Sequence, residues 1–97
     1  MLKSKQRAYL RSLANNLPAI FQIGKGGIND NMIEQIDATL ERRELIKLHV
    51  LENSLLDAYP VCNEIAERVG AEPVSVVGSK FVIYRESKDH KTIVLPK

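Results

Sequence analysis

The chain has 97 residues, 44% of them hydrophobic and 27% charged, and a net charge of +2. That size and balance describe one small domain with a core of its own and exclude a disordered tract. The single cysteine, Cys62, excludes an internal disulfide and a cysteine-rich zinc site, and no apolar run approaches the roughly 20 residues of a membrane-spanning helix.

Apolar Leu10, Leu13, Ala14 and Leu17 predict a first helix over Ser4 to Ala14. Lys3, Arg7 and Arg11 then form a basic stripe along one flank. Asn15-Asn16-Leu17-Pro18 ends that helix, and Ala19 to Ile23 reads as a strand. Gly24-Lys25-Gly26-Gly27 follows as a turn. Asn29 and Asp30 suit a helix start, and Met32, Ile33, Ile36 and Leu40 carry the helical spacing to about Arg43. Leu45 to Leu51 alternates as a half-buried strand, with Ile46, Leu48 and Val50 on one face and Lys47 and His49 on the other. After a connection over Glu52 to Leu56, Asp57 suits the cap of a third helix carried by Val61, Ile65, Ala66 and Val69 and stopped by Gly70. Val74 to Val77 and Lys80 to Arg85 flank Gly78-Ser79 as a hairpin. The tail from Ser87 is polar and then apolar at Ile93-Val94-Leu95, fit for an edge strand or a loose surface segment.

The predicted order is α-β-α-β-α-β-β over residues 1–97, an α/β single domain with a mixed four-stranded sheet covered by helices. Helices between strands imply right-handed crossovers and parallel pairing, and the hairpin adds an antiparallel pair.

Charge is segregated along the chain: +5 over Met1–Asn29, −6 over Asp30–Glu72 and +3 over Pro73–Lys97. The glycine turn lies in the basic segment. Its glycines allow positive φ and close approach of backbone, Lys25 places a cation at the tip, and the next helix start adds free N–H groups and the positive end of a dipole. Together these suit a phosphate-bearing partner. The nucleotide P-loop is excluded, because no Ser or Thr follows Lys25, and the dinucleotide fingerprint fails at Asn29. The remaining G-x-x-G pattern, with a basic residue, is the one with which KH modules clamp a nucleic-acid backbone.

Catalytic signals are weak. Cys62 sits at helical spacing among apolar residues, a small buried thiol, while His49 lies on a strand and His90 in a polar tail. Glu34, Asp37 and Glu41 read as a solvated helix face, not a metal site. No cofactor, metal or small-molecule substrate is expected. The basic N-terminus lacks the apolar core of a secretion signal, so the expected setting is cytoplasmic and reducing.

The segments Lys5-Gln6-Arg7-Ala8-Tyr9-Leu10-Arg11-Ser12-Leu13-Ala14, Gln22-Ile23-Gly24-Lys25-Gly26-Gly27-Ile28 and Glu44-Leu45-Ile46-Lys47-Leu48, in that order and with Val76-Val77-Gly78 before the last strand, resemble the CRM domain (chloroplast RNA splicing and ribosome maturation), closest to its stand-alone bacterial YhbY-type members. The resemblance spans nearly the whole chain. It implies a fold similar to the C-terminal domain of translation initiation factor three. It also implies RNA binding through Gly24, Lys25, Gly26 and Gly27, widened by Lys3, Arg7, Arg11 and Lys47, and association with large-subunit ribosomal RNA or pre-ribosomal particles. Asn15, Asn16 and Pro18 stand where many relatives carry histidine or lysine. The competing expectation is a module whose acidic helical face docks a basic ribosomal protein.

Overall fold

The computed structural model of the chain describes residues 2–97. Its elements are α1 (Ser4–Ala14), β1 (Ala19–Ile23), α2 (Asp30–Arg43), β2 (Leu45–Val50), a short 3-10 turn (Glu52–Ser54), α3 (Ala58–Val69), β3 (Glu72–Val77) and β4 (Lys80–Tyr84). The sheet order is β1-β2-β4-β3, with β1 parallel to β2 and β4 antiparallel to both of its neighbours.

Only one of the two crossovers expected from the sequence produces adjacent parallel strands. β3 does not pair with β2, because β4 lies between them. The α3 crossover carries β3 one strand-width too far. The Gly78-Ser79 turn, with Gly78 at φ +60°, then brings β4 back into the gap. Composition agrees with this placement. Phe81, Val82, Ile83 and Tyr84 are all buried, as a central strand requires, whereas β3 carries Glu72, Pro73 and Ser75. Proline has no N–H to give a ladder and is tolerated at an edge.

Alternation sorts the sheet into two faces. Ile46, Leu48, Phe81 and Ile83 pack with Ile36 and Leu40 of α2 and Cys62 and Ile65 of α3. Leu45, Val82 and Tyr84 face the other way and pack with Leu10 and Ala14 of α1. The domain is thus three layers, with α1 alone on one side of the sheet and α2 with α3 on the other. Phe21 is half-buried against the larger cluster.

The tail adds no strand. It is fastened to the C-terminal end of α2 by two carboxylates. Glu44, the residue that ends α2, is fully buried at φ 66°. Its carboxylate accepts from the N–H groups of Ser87 (2.8 Å), Thr92 (2.7 Å) and Ile93 (2.9 Å). Its own N–H donates to the Leu40 carbonyl, and its carbonyl accepts from Arg85 N–H. Burial pushes the Glu44 carboxyl up, but the hydrogen bonds from Ser87, Thr92 and Ile93 outweigh burial and hold it below the usual carboxylate value. Ile93 and Leu95 then pack against the α1-side cluster. Gln6 of α1 donates to the Pro96 carbonyl at 3.0 Å.

Glu41 acts beside it. The Ser87 hydroxyl donates to Glu41 at 2.6 Å, and the N–H groups of Asp89 and Lys88 also point at its carboxylate. These bonds, Ser87 first, hold its pKa at about 2 against an ordinary 4.5. A carboxylate depressed in this way stabilises the fold above its unfolded pKa, and that stability is lost as pH falls through the folded value. Melting temperature should therefore decline from about pH 4.5 towards 2. Replacing Glu41 by Gln should flatten that acid limb in a series of melts across pH, and an unchanged limb would contradict the account.

Candidate nucleic-acid interface

β1 ends at Ile23 and the chain turns at once. Gly27 N–H donates to the Gly24 carbonyl at 2.9 Å, closing a four-residue turn with exposed Lys25 and Gly26 at its tip. Of the three glycines here, only Gly27 uses a positive φ, +65°. A Cβ on Gly24 would rest against Leu51 Cδ1 at 3.6 Å, and a Cβ on Gly26 would meet nothing within 4 Å. The fold therefore needs glycine at position 27 and leaves position 26 open. Gly27→Ala should destabilise by about 1 to 2 kcal/mol, the cost of a left-handed conformation for a residue with a Cβ. Gly26→Ala should leave the melting temperature unchanged or slightly raised. Equal losses at both positions would sink this division of roles.

The helix start after the turn differs from the sequence expectation. Asn29 Oδ1 accepts the Met32 N–H at 2.8 Å, so one free donor is already used. Asp30 occupies the first turn of α2 and accepts from Arg68 at 2.8 Å. A carboxylate there already answers the helix dipole, so the α2 N-terminus offers less to an anion than the sequence implies.

The turn shares one end of the sheet with two other loops. Leu51 N–H donates to the Ile23 carbonyl, and Val50 N–H donates to the Ser79 carbonyl, which sets the ends of β1 and β2 and the β3–β4 hairpin side by side. β1 and β4 lie two strand spacings apart, about 10 Å. Lys80 opens β4 at this end, opposite His49 in the ladder. On the α1 face, a groove of about 260 Å³ is lined by Arg11, Ala14, Lys47, Ser75, Lys80 and Val82.

The predicted basic residues separate into four placements. Arg11 and Lys47 meet in this groove, joined by Lys80, which sequence reasoning missed. Lys25 stands at the end of the sheet where Lys80 begins. Arg7 is half-buried and donates from Nε to the Pro73 carbonyl at 3.3 Å, fixing α1 to the edge strand. Lys3 is exposed where α1 begins, eight residues or about 12 Å of helix before Arg11.

The cations also divide by partnership. Among the described residues, Arg68 pairs with Asp30 and Glu64, Arg85 with Asp37, and Lys91 with Glu86. Lys25, Arg11, Lys47 and Lys80 have no carboxylate within 4.0 Å among those residues. Acidic α2 is likewise not the uniformly solvated face expected from sequence. Asp37, though exposed, is paired with Arg85, and Glu41 is held by the tail, which leaves Glu34 as the acid of that trio without an ion pair or tail contact among the described residues. This takes two of three charges away from the acidic docking face.

No group of three or more His, Cys, Asp or Glu that could hold a metal occurs among the described residues. His90 is exposed, with Nδ1 at 3.8 Å from Glu41. Cys62 is fully buried, and burial pushes its thiol up to about 11, which removes thiolate reactivity near neutral pH.

A small α/β module with one basic, glycine-turned end is thus the class that fold and site define. The chain belongs to the CRS1 / YhbY (CRM) domain family, whose model matches residues 2–85. It is 48% identical over 96 residues to "Probable RNA-binding protein YqeI" of Bacillus subtilis, covering 99% of this chain and 100% of that protein. It is 33% identical over 98 residues to "Probable RNA-binding protein MJ0652" of Methanocaldococcus jannaschii, covering 99% and 72%. An "RNA-binding protein" of Haemophilus influenzae is 30% identical over 96 residues, covering 99% and 96%. The solution structure of the hypothetical protein SAV1595 from Staphylococcus aureus superposes with a TM-score of 0.78 at 54% identity, covering 99% of this chain and 100% of that one.

Proposed function

We propose that this chain is a non-catalytic, cytoplasmic RNA-binding protein that acts on precursors of the large ribosomal subunit. Phosphates would sit on the Gly24–Gly27 turn against Lys25 and continue along the groove of Arg11, Lys47 and Lys80, with Lys3 widening the positive field. The observation that carries this reading is the gathering of Lys25, Arg11, Lys47 and Lys80, cations without carboxylate partners among the described residues, on one end and one face of the sheet, while Arg68 and Arg85 on the other face are paired with Asp30 and Asp37. Cations without carboxylate partners can release counterions from a polyanion when it binds, and open backbone at Gly26 lets a phosphate approach closely. The names of the relatives point the same way. The ribosomal part of the reading rests on the family resemblance.

The test is sedimentation of the tagged chain on sucrose gradients of cell extract, with its crosslinked RNA sequenced. The expected result is co-migration with particles lighter than the mature large subunit and crosslinks to large-subunit ribosomal RNA. A chain that stays at the top of the gradient, or that crosslinks to no ribosomal RNA, would overturn it.

A further inference from the structure

Beside the glycine turn, the structure carries a surface of another character. After the 3-10 turn, Leu55 takes φ 62°, the left-handed region, and is 92% exposed. Leu56 beside it is 42% exposed and Tyr59, at the start of α3, is 67% exposed. A strained leucine held out in water is costly for a small domain, since neither its backbone conformation nor its side chain is favourable there. Leu55 and Leu56 border an open depression of about 500 Å³ that reaches from Ile28 to Pro60 and Val61. Asp57 and Glu64 are its charged lining residues, and Glu52 stands behind the leucine ridge. Glu64 has Arg68 at 3.8 Å, while Glu52 and Asp57 have no ion pair among the described residues.

We infer that this depression is a docking site for a basic, partly apolar protein segment, one that presents leucine- or phenylalanine-like side chains to Leu55, Leu56 and Tyr59 and lysine or arginine to Glu52, Asp57 and Glu64. Charge complementarity selects that occupant. The lining contains acids and no cation, which repels a phosphate chain and attracts a basic peptide. The site shares no residue with the groove of Arg11, Lys47 and Lys80, but Gly27 of the glycine turn stands at its border, so a peptide here and phosphates in that groove occupy different residues while the turn lies between them. The inference goes beyond RNA binding and does not depend on it.

The experiment uses the full chain, labelled for amide NMR and titrated with three probes: a synthetic amphipathic peptide of Leu, Phe, Lys and Arg, a scrambled peptide of the same composition, and a single-stranded oligouridine. Two variants are compared with wild type, Leu55→Asn with Tyr59→Ser, and Glu52→Lys with Asp57→Asn. The altered side chains are exposed, and asparagine accepts the left-handed conformation at position 55, so both variants should fold, as their spectra would show. The expected result is shift changes centred on residues 55–64 with the amphipathic peptide, at least tenfold weaker binding in each variant, and weaker binding of the scrambled peptide. Oligouridine affinity should not fall in either variant, and should rise with Glu52→Lys and Asp57→Asn, which remove negative charge beside the glycine turn. Equal binding of both peptides, no response at residues 55–64, or variants that lose oligouridine and not peptide would each overturn the inference, the last by assigning the ridge to unstacked bases.

Discussion

A chain carrying Lys25→Asp and Gly26→Asp should bind large-subunit ribosomal RNA roughly 10- to 150-fold more weakly than wild type, from the loss of one or two charge-assisted contacts at about 1.5 kcal/mol each. Lys25 is a cation at the tip of a closed turn with no carboxylate partner, and Gly26 offers a backbone free of any Cβ. The two substitutions replace a donor with acceptors and put negative charge where phosphate would lie. The slope of log affinity against log salt should shrink by about 0.7 to 0.9 for each phosphate contact removed. Neither side chain is packed, so thermal melts should match wild type within about 2 °C, surface changes being worth only a few tenths of a kcal/mol. Unchanged affinity in a folded variant would reduce the turn to a connection between β1 and α2. Reversing Lys47 and Lys80 by charge should give a second, separable loss if the groove continues the same path.

The other large effect lies far from that turn. Glu44→Ala should lower the melting temperature by on the order of 10 to 20 °C, from a loss of about 3 kcal/mol in a domain where each kcal/mol shifts the midpoint by about 4 to 8 °C. The Glu44 carboxylate is the shared acceptor for Ser87, Thr92 and Ile93. Without it, those N–H groups are either buried unpaired or freed by releasing the tail, and release exposes the surface under Ile93 and Leu95. Glu44→Gln should fall between, because an amide keeps one acceptor oxygen and turns a donor towards other donors. Hydrogen exchange at residues 92 and 93 should accelerate in both variants. A drop of less than about 4 °C in Glu44→Ala, under one kcal/mol at this size, would show that the tail is held by something else.

Much of the fold was legible because period and punctuation agree. Asn29 and Gly70 mark helix limits where the structure has them, and alternation through Ile46, Leu48 and Val50 assigned the buried face of β2 correctly. The strand order was hidden, because crossover rules fix handedness and direction but not whether a later strand enters the gap. Pro73 and the uninterrupted Phe81–Tyr84 run were the available clue, an edge-type strand beside a central-type one. The candidate site divides similarly. Lys25 is local to its motif and could be read directly. Lys80 joins Lys47 only through the β2–β4 pairing, which the linear pattern does not contain. Glu44 was missed for a different reason. It follows Arg42 and Arg43, and a run of charge ending a helix reads as solvated; only the returning tail buries it. The same return converts Glu41 from a surface acid into a clamp.

The strand order carries a consequence for the chain as it is made. β4 is central yet is the last strand in sequence, with β2 on one side and β3 on the other. A nascent chain that has not reached Tyr84 therefore holds a β1–β2 pair and a separate β3, with the inner edges of β2 and β3 unpaired and rich in valine, isoleucine and leucine. Such edges recruit strands from other molecules. Vectorial synthesis cannot close this sheet in stages: it closes in one event when β4 slots between its neighbours, and the Glu44 latch waits for Ile93. Fragments that stop short of β4 should be chaperone substrates and aggregate when expressed alone, whatever their helical content.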